Sequence, residues 1–165
     1  MRLLTLIRHA KSSWDNNTEL SDFERPLNAR GRKDAPEMAE RLATELEQPL
    51  KLVSSPALRA ITTAQAFADA LSIAHKDIHR EPRIYEATPG TLLEIVRAFD
   101  NRHHHVVMFG HNPGFSDFAR LLVTDFPTIE MQTCAIATIE LGAPSWSFVG
   151  LGDGKLRRYR YPKEH

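Results

Sequence analysis

Short apolar segments alternate with helix-forming segments over the first two thirds of the chain, and this alternation constrains the fold more than any other feature. Residues 2–7 are rich in Leu and Ile, which is typical of a strand buried on both faces of a sheet. Segments 51–55 (KLVSS) and 105–110 (HVVMFG) predict two further strands, and 78–84 predicts a weaker one. Because a helical segment follows each strand, the pattern favours parallel strands with helices on both faces.

The predicted helices begin at residues that favour a helix N-terminus. Asn28 is placed to cap a helix that runs to about residue 47, within which apolar side chains recur at helical spacing. Proline begins the helices predicted over 56–71, 89–99 and 113–122, since its fixed backbone angle suits a first turn.

The last part of the chain has strand-like runs instead of further helices. These runs are 133–141 (TCAIATIEL), 146–151 (WSFVGL) and 155–161 (KLRRYRY), separated by turn-forming sequences. We interpret them as closing edge strands. The whole pattern predicts a single domain over residues 1–165 of class α/β, a three-layer α/β/α sandwich with a mostly parallel central sheet and an antiparallel edge.

The balance of charge argues against nucleic acid or a membrane as a partner. Lys plus Arg and Asp plus Glu both number 21, so the formal net charge is zero and no global field attracts a polyanion. No apolar run approaches the roughly 20 residues of a membrane helix, and the N-terminal apolar run is too short for a signal peptide, so we expect a cytoplasmic location. Cys134, the only cysteine, lies in an apolar run and is expected in the core.

Charged and histidine side chains follow the predicted strands at their carboxyl ends, the edge where α/β sheets bind ligands. The set delivered to this edge comprises two arginines, two histidines and a carboxylate: Arg8, His9, Arg59, Glu86 and His111. Phosphoryl transfer is stabilised chiefly by positioned positive groups, and an arginine can bind two phosphoryl oxygens at once. The set therefore predicts phosphoryl-transfer chemistry.

His9 is the best placed nucleophile of this set. Neutral imidazole can attack phosphorus, and a covalent phosphohistidine divides the reaction into two displacements. Neighbouring guanidinium groups are expected to lower the pKa of His9 and so keep it neutral. His111 lies in GHNPG before a predicted helix N-terminus, and we expect it to donate to the phosphoryl oxygens.

Five ordered motifs resemble those of a known family. They are RHAKSSW, ERPLNARGRKDA, SSPALRAITTAQ, IYEATP and FGHNPG, and together they span nearly the whole chain. The sequence resembles the histidine phosphatase superfamily, whose members are phosphoglycerate-mutase-like, and is most similar to the short bacterial SixA-like phosphohistidine phosphatases. The resemblance implies a phosphoglycerate-mutase-like fold, and we expect a metal-independent enzyme without a cofactor.

The resemblance also implies roles for individual residues. His9 corresponds to the phosphorylated nucleophile, and Arg8, Arg59 and His111 correspond to its phosphate pocket. Arg25, in ERPL, corresponds to an additional pocket arginine of the short group. Where larger members keep the carboxylic acid that protonates the leaving oxygen, this chain has Glu86.

Two departures from the family pattern bear on the substrate. Ala10 replaces the usual glycine, which is a small change if its φ is negative. Asp15 replaces the asparagine that follows tryptophan in mutases, and a carboxylate there would repel a substrate such as phosphoglycerate. The chain also has no long insertion that would form a lid, so we expect a shallow pocket open to a phosphate carried on a protein.

Several residues near the motifs have two interpretations. Arg25 either belongs to the pocket or forms a surface ion pair with Asp22 or Glu24. Lys11 and Ser12 either donate to phosphate or face solvent. Trp14 is interpreted as a packing anchor for its loop, and the basic run 155–163 as either a surface that attracts an acidic partner or the solvated face of an edge strand.

The run 103–105 consists of three histidines, which we interpret as a solvated lead-in to the next strand, because consecutive strand residues point to alternating faces and cannot share one metal ion.

Three functions stay open at this stage. The first is dephosphorylation of phosphohistidine on a protein, such as a histidine-phosphotransfer or carrier protein. The second is hydrolysis of small phosphate monoesters by the same chemistry, and the third is binding of a phosphorylated protein without turnover. A protonated phosphoramidate nitrogen leaves easily, so a weak acid at Glu86 favours the first.

Overall fold

The computed structural model describes residues 1–14, 20–45 and 49–162, which form a mixed sheet with helices on both faces. The strands are β1 (Arg2–Arg8), β2 (Lys51–Ser54), β3 (His79–Arg80), β4 (His105–Gly110), β5 (Ile136–Leu141) and β6 (Gly154–Arg160). The helices are α1 (Ala29–Ala43), α2 (Leu58–Ala70), α3 (Pro89–Arg97) and α4 (Gly114–Leu122). Short 3-10 turns lie at Asp22–Glu24, His75–Asp77, Pro82–Ile84 and Trp146–Phe148.

The sheet has the order β3-β2-β4-β1-β5-β6. The first four strands in this order are parallel, and β5 and β6 pair antiparallel at one side. One buried cluster joins α1 and α2 to one face of the sheet, and a second joins α3 and α4 to the other. The expected three-layer α/β/α sandwich with its antiparallel edge is confirmed.

The ends of α1 and α2 agree with the sequence prediction only in part. Asn28 caps α1 as expected, since its side chain accepts from the N–H of Gly31 at 2.8 Å. The helix ends at Ala43, and residues 46–48 of the longer prediction lie outside the described residues. The second helix begins at Leu58, two residues after the proline expected to open it.

Two predicted strands were wrong in extent or type. Of 78–84 only His79–Arg80 is a strand, and a 3-10 turn follows it. The run WSFVGL is a turn around Trp146, whose ring is fully buried and whose indole N–H donates to the His103 carbonyl at 2.7 Å. Trp146 and Val149 of this run are fully buried and pack in the core from a loop, whereas Phe148 is exposed, because packing decides their conformation.

The interpretation of 103–105 as solvated was wrong for its last member. His104 is exposed, but His105 begins β4 and is 4% exposed. Its Nε2 lies 2.7 Å from the hydroxyl of Thr5, which also contacts the hydroxyl of Thr138 at 3.1 Å. Cys134 is fully buried, as expected. Among the described residues, no helix has the length and apolar character to cross a bilayer.

The loop after β1 is fastened to the start of α1. The Lys11 carbonyl accepts from the N–H of Asn28 at 3.0 Å, and Ser12 pairs with Leu27 in an isolated bridge. Gly31 lies so close to this loop that a Cβ there would overlap the Lys11 carbonyl oxygen. The absence of a side chain at Gly31 therefore holds the segment after His9 in place.

We expect Gly31→Ala to lower the free energy of unfolding by about 1–3 kcal/mol, because neither backbone can move away without strain. Gly142→Ala is the matched control, since a Cβ there has nothing within 4 Å. It should change stability by less than about 0.5 kcal/mol. Urea denaturation of both variants measures the difference, and equal stabilities would contradict the close approach at Gly31.

Candidate active site

The register of β1 and β4 brings the two motif histidines together. Arg8 pairs with Gly110 across the parallel strands, so His9 and His111 leave the sheet side by side. The N–H of His9 donates to the Gly110 carbonyl at 2.9 Å, and the two imidazole centroids are 5.3 Å apart. The expected meeting of strand ends at one edge of the sheet is found here.

Backbone contacts hold His9 rigidly in this position. The N–H of Cys134 lies 3.0 Å from the carbonyls of both Arg8 and His9. The N–H of Ala10 donates to the hydroxyl of Thr63 at 3.0 Å, and Ala10 does not have the positive φ that would require glycine. Neither Thr63 nor the backbone of Cys134 was predicted, because both contacts span long stretches of sequence.

The hydrogen bonding of His9 determines which ring nitrogen is free. Its Nδ1 lies 2.7 Å from the Ala10 carbonyl, which can only accept, so Nδ1 carries the proton. Neutral His9 therefore has its lone pair on Nε2. The pKa of His9 is lowered to about 3, chiefly because the ring is buried, with Arg59, Arg8 and Arg25 adding smaller effects. Burial therefore lowers the pKa of His9 more than the neighbouring arginines do, although only the arginines were expected to lower it.

Three nitrogens of the sequence-predicted site are buried without a hydrogen-bond partner among the described residues: Nε of Arg8, Nε of Arg59 and Nδ1 of His111. The other ends of these side chains are anchored. Arg8 Nη1 donates to the Met131 carbonyl at 2.7 Å, and His111 Nε2 lies 2.8 Å from the Ser55 hydroxyl. Burial without a partner costs about 1–3 kcal/mol for each group, so the cluster is suited to an anionic ligand.

Burial also governs the charge on His111. Its pKa is lowered to about 3, first by burial and then by the neighbouring His9 and Arg59. Both imidazoles are therefore neutral at pH 7, and the positive charge of the site comes from its arginines. His111 is 8% exposed and His9 is 7% exposed.

Asp22 is a central residue that the sequence analysis considered only as a surface partner. Arg59 donates to it twice, from Nη1 to its carbonyl at 2.7 Å and from Nη2 to Oδ2 at 3.1 Å. Tyr85 donates its hydroxyl to the same Oδ2 at 2.6 Å, and Arg25 Nε donates to Oδ1 at 3.0 Å. Partial burial alone would raise the pKa of Asp22, but these donors lower it to about 2.

Arg25 lies at the site and also forms an ion pair, so the two interpretations from the sequence do not exclude each other. It forms the ion pair with Asp22, and it also faces the site, where its Nη1 donates to the Ser12 hydroxyl at 2.7 Å. Trp14 is not a buried anchor, since its side chain is 79% exposed. The Arg25 guanidinium lies 3.6 Å from the Trp14 ring centroid, which is a cation–π contact.

These side chains surround a cavity of about 750 Å³, called here the His9 cavity. The residues of the sequence-predicted site all line it: Arg8, His9, Ser12, Arg25, Arg59, Glu86 and His111. Lys11, Asp22, Tyr85 and Asp117 line it as well. Asp15 lies outside the described residues.

Glu86 lies at the exposed rim of the His9 cavity. Its φ is +58°, a left-handed backbone conformation that is uncommon for a residue other than glycine. Such a conformation is retained at sites where the surrounding structure fixes the direction of a side chain. Across residues 1–14, 20–45 and 49–162, no three His, Cys, Asp or Glu side chains group as metal ligands would. Metal independence stays a prediction.

Comparison with known proteins agrees with this geometry. The family model described as histidine phosphatase superfamily (branch 1) matches residues 4–107, which include most of β1, all of α1, α2 and α3, and the first half of β4. The chain belongs to the histidine phosphatase superfamily. Its phosphoglycerate-mutase-like fold is the one expected from the motifs.

Three relatives place this histidine phosphatase more closely. An uncharacterized chloroplastic protein of Arabidopsis thaliana is 30% identical over 153 residues, which cover 88% of this chain and 69% of that protein. The structure of a candidate phosphohistidine phosphatase, SixA, from Agrobacterium tumefaciens has a TM-score of 0.79, 26% identity and 98% coverage of both chains. A protein histidine phosphatase SixA complexed with tungstate has a TM-score of 0.78, 25% identity and 97% coverage of both chains. The chain is SixA-like, and these neighbours support phosphatase activity.

The buried neutral histidines make the stability of this phosphatase depend on pH. Burial lowers the pKa values of His9, His105 and His111 to about 3, 4 and 3 from 6.5. Below pH 6.5 the unfolded chain binds protons at these residues and the folded chain does not, so stability falls as pH decreases. Between pH 6 and 5 we expect each of these histidines to lower the free energy of unfolding by up to about 1.4 kcal/mol per pH unit. Urea denaturation at a series of pH values measures this dependence.

His9→Ala should reduce the change in the free energy of unfolding with pH by the contribution of one histidine, which is up to about 1.4 kcal/mol per pH unit. His79→Gln, a change at an exposed histidine, is the matched control, because it leaves the three buried imidazoles in place. A free energy of unfolding that is constant between pH 7 and 5 would contradict the buried, neutral state of the three imidazoles.

Proposed function

We propose that this protein is a phosphohistidine phosphatase that acts on a phosphorylated protein through a covalent intermediate on His9. The observation that carries the proposal is the geometry of the His9 cavity. The Nδ1 proton of His9 is held by the Ala10 carbonyl at 2.7 Å, which leaves Nε2 as a nucleophile in a cavity that Arg8, Arg59 and His111 also line. Positioned donors of this kind stabilise the charge of a transferring phosphoryl group.

The proposed reaction has two displacements. First, the lone pair of His9 Nε2 forms a bond to phosphorus while the bond from phosphorus to the substrate nitrogen breaks. That nitrogen keeps the bonding pair and takes a proton from Glu86 or from water. A water oxygen then attacks phosphorus, the bond to Nε2 breaks, and the water proton passes to Glu86 or to solvent as inorganic phosphate is released.

The anion-binding part of the proposal has independent support from the comparisons. Arg8, Arg59 and His111 all line the cavity, and each has a buried nitrogen without a partner among the described residues. The SixA protein with 25% identity to this chain was solved with tungstate, which is a tetrahedral oxyanion like phosphate. A tetrahedral oxyanion in the His9 cavity would lie against the same three residues.

A protein substrate is favoured by the mouth of the cavity. Trp14 is 79% exposed and Phe23 is 39% exposed, and Phe23 packs edge to face on Tyr85 with centroids 5.2 Å apart. Exposed aromatic side chains around a polar cavity are typical of surfaces that contact another protein. The imidazole of a phosphohistidine also needs little acid assistance to leave, which suits the solvent-exposed Glu86.

Hydrolysis of small phosphate monoesters is the second candidate. Glu86 favours it, because its left-handed backbone directs a carboxyl group at the rim of the cavity where an alcohol would need a proton. A binding module without turnover is disfavoured, because binding alone does not require His9 to be buried with Nε2 free.

We expect His9 to become labelled when the protein is mixed with a ³²P-phosphohistidine donor protein and quenched rapidly. The label should be acid-labile and base-stable, as expected for a phosphorylated imidazole, and absent from His9→Ala. His79→Gln, a change at an exposed histidine away from the cavity, should label like the wild type. Tight binding of the donor without label or turnover would support the binding module instead.

We expect Glu86→Gln to separate the two enzymatic candidates. Phosphohistidine hydrolysis should slow by less than about threefold, whereas aryl phosphate hydrolysis should fall by about 10²–10⁴, the usual contribution of a general acid. Asp117→Asn is the matched control, since Asp117 lines the same cavity and is ion-paired to Arg120 at 2.6 Å. Steady-state kinetics on both substrates measures the effect, and faster turnover of small phosphate esters than of phosphohistidine protein would reject the protein substrate.

A further inference from the structure

We propose that Asp22 is a positioning residue that holds the guanidinium group of Arg59 in the direction that the phosphoryl group requires. The inference rests on the proposed function, since it assigns a role in the same reaction. Asp22 lies in the loop between β1 and α1, and besides Arg25 in the same loop it binds Arg59 on α2 and Tyr85 in the loop before α3. It therefore connects three segments across the mouth of the His9 cavity.

The contacts of Arg59 fix the direction of its guanidinium group. Both terminal nitrogens donate to Asp22, Nη1 to its carbonyl at 2.7 Å and Nη2 to Oδ2 at 3.1 Å, and each keeps a second N–H. Nε is buried without a partner among the described residues, and the whole side chain is only 7% exposed. A guanidinium group is planar and rigid, so fixing two nitrogens fixes the direction of all its N–H groups.

Arg8 is held by different partners. Its Nη1 donates to the Met131 carbonyl at 2.7 Å and lies 3.8 Å from Oε1 of Glu130, and its Nε is likewise buried without a partner among the described residues. Both arginines thus line the cavity with a guanidinium group that the protein holds. The hydrogen bond that holds Arg8 goes to a neutral carbonyl, whereas Arg59 donates to an ionised side chain as well as to a carbonyl.

Tyr85 connects Asp22 to His111. Its hydroxyl donates to Oδ2 of Asp22 at 2.6 Å, and its ring packs edge to face against His111 with centroids 5.6 Å apart. Glu86, the residue that follows, has the left-handed backbone conformation described above. Asp22 therefore holds both an arginine of the phosphate site and the segment that carries the candidate acid.

Because Asp22 is negatively charged, phosphate affinity and reaction rate together distinguish a positioning role from a purely structural one. A carboxylate at the cavity repels an entering phosphate, so its removal should not weaken binding of the anion. A misdirected Arg59 should slow the chemical step, because one misplaced donor at a transition state costs about 10²–10³ in rate. A purely structural role would weaken binding and catalysis together.

The test compares wild type, Asp22→Asn and Glu24→Gln. Glu24 lies in the same 3-10 turn and its carboxylate accepts from the Ser21 hydroxyl at 2.8 Å, so it is a matched removal of one charge outside the cavity. For Asp22→Asn we expect kcat to fall by about 100-fold, while inorganic phosphate, titrated calorimetrically, binds at least as tightly as to wild type. Glu24→Gln should match wild type in both measurements. Unchanged kcat, or parallel losses of kcat and phosphate affinity, would overturn the inference.

Two further measurements keep the inference testable if Asp22→Asn folds poorly or if the wild type has no turnover. Tyr85→Phe removes one hydrogen bond to Asp22 and should lower kcat by about fivefold with unchanged phosphate affinity. The Arg59 Nε–H resonance, assigned with Arg59→Lys, should shift when phosphate is added to wild type and should not shift in Asp22→Asn. Identical shifts in both proteins would reject the positioning role, whereas a wild type without turnover would reject only the proposed function.

Discussion

The parallel pairing of β1 with β4 is the interaction on which the site depends. It sets Arg8 beside Gly110, so the residues that follow the two strands, His9 and His111, leave the sheet side by side. The strands are buried on both faces, so their register is specified by the packing of two separate apolar clusters. The positions of both imidazoles are therefore determined by the core rather than by contacts between them.

Burial of this site keeps its histidines neutral, and it also destabilises the folded chain. Desolvation keeps His9 and His111 neutral, and the same desolvation leaves the Nε atoms of Arg8 and Arg59 without water. Unsatisfied donors destabilise a folded chain, so the surrounding structure must compensate. Asp22 offsets part of this cost, because it satisfies the outer nitrogens of Arg59 and balances one positive charge.

The resulting cavity has two distinct regions. Its floor consists of rigid, buried groups attached to strand ends and to the start of α2, and these suit the phosphoryl group. Its mouth carries exposed groups on loops, with Trp14 stacked on Arg25 and Phe23 packed on Tyr85. The same phosphoryl chemistry can thus be combined with different leaving groups by changing only the mouth, as expected where function depends on loops around a fixed scaffold.

Much of the fold and the inner site could be predicted because the signals are local. Apolar runs of strand length, the Asn28 cap and the alternation of elements are read from short windows, and they led to the correct α/β sandwich. The motif residues His9 and His111 follow strand ends directly, and Arg59 lies in the first turn of the helix after β2, so topology brought all three to one edge. The turn at Trp146 was missed because its composition suits a strand as well as it suits a buried loop.

Asp22 and the protonation of His9 could not be obtained in this way. In sequence Asp22 is one of several acidic residues near Arg25, and only folding places it against Arg59, 37 residues away, and Tyr85, 63 residues away. Likewise, the motif identified His9, but the tertiary structure decided that burial, more than the arginines, keeps it neutral. The sequence alone determined the elements and the chemical types at the sheet edge, because both are properties of neighbouring residues. Hydrogen-bond partners and desolvation were decided by the tertiary structure, because they depend on atoms from distant segments.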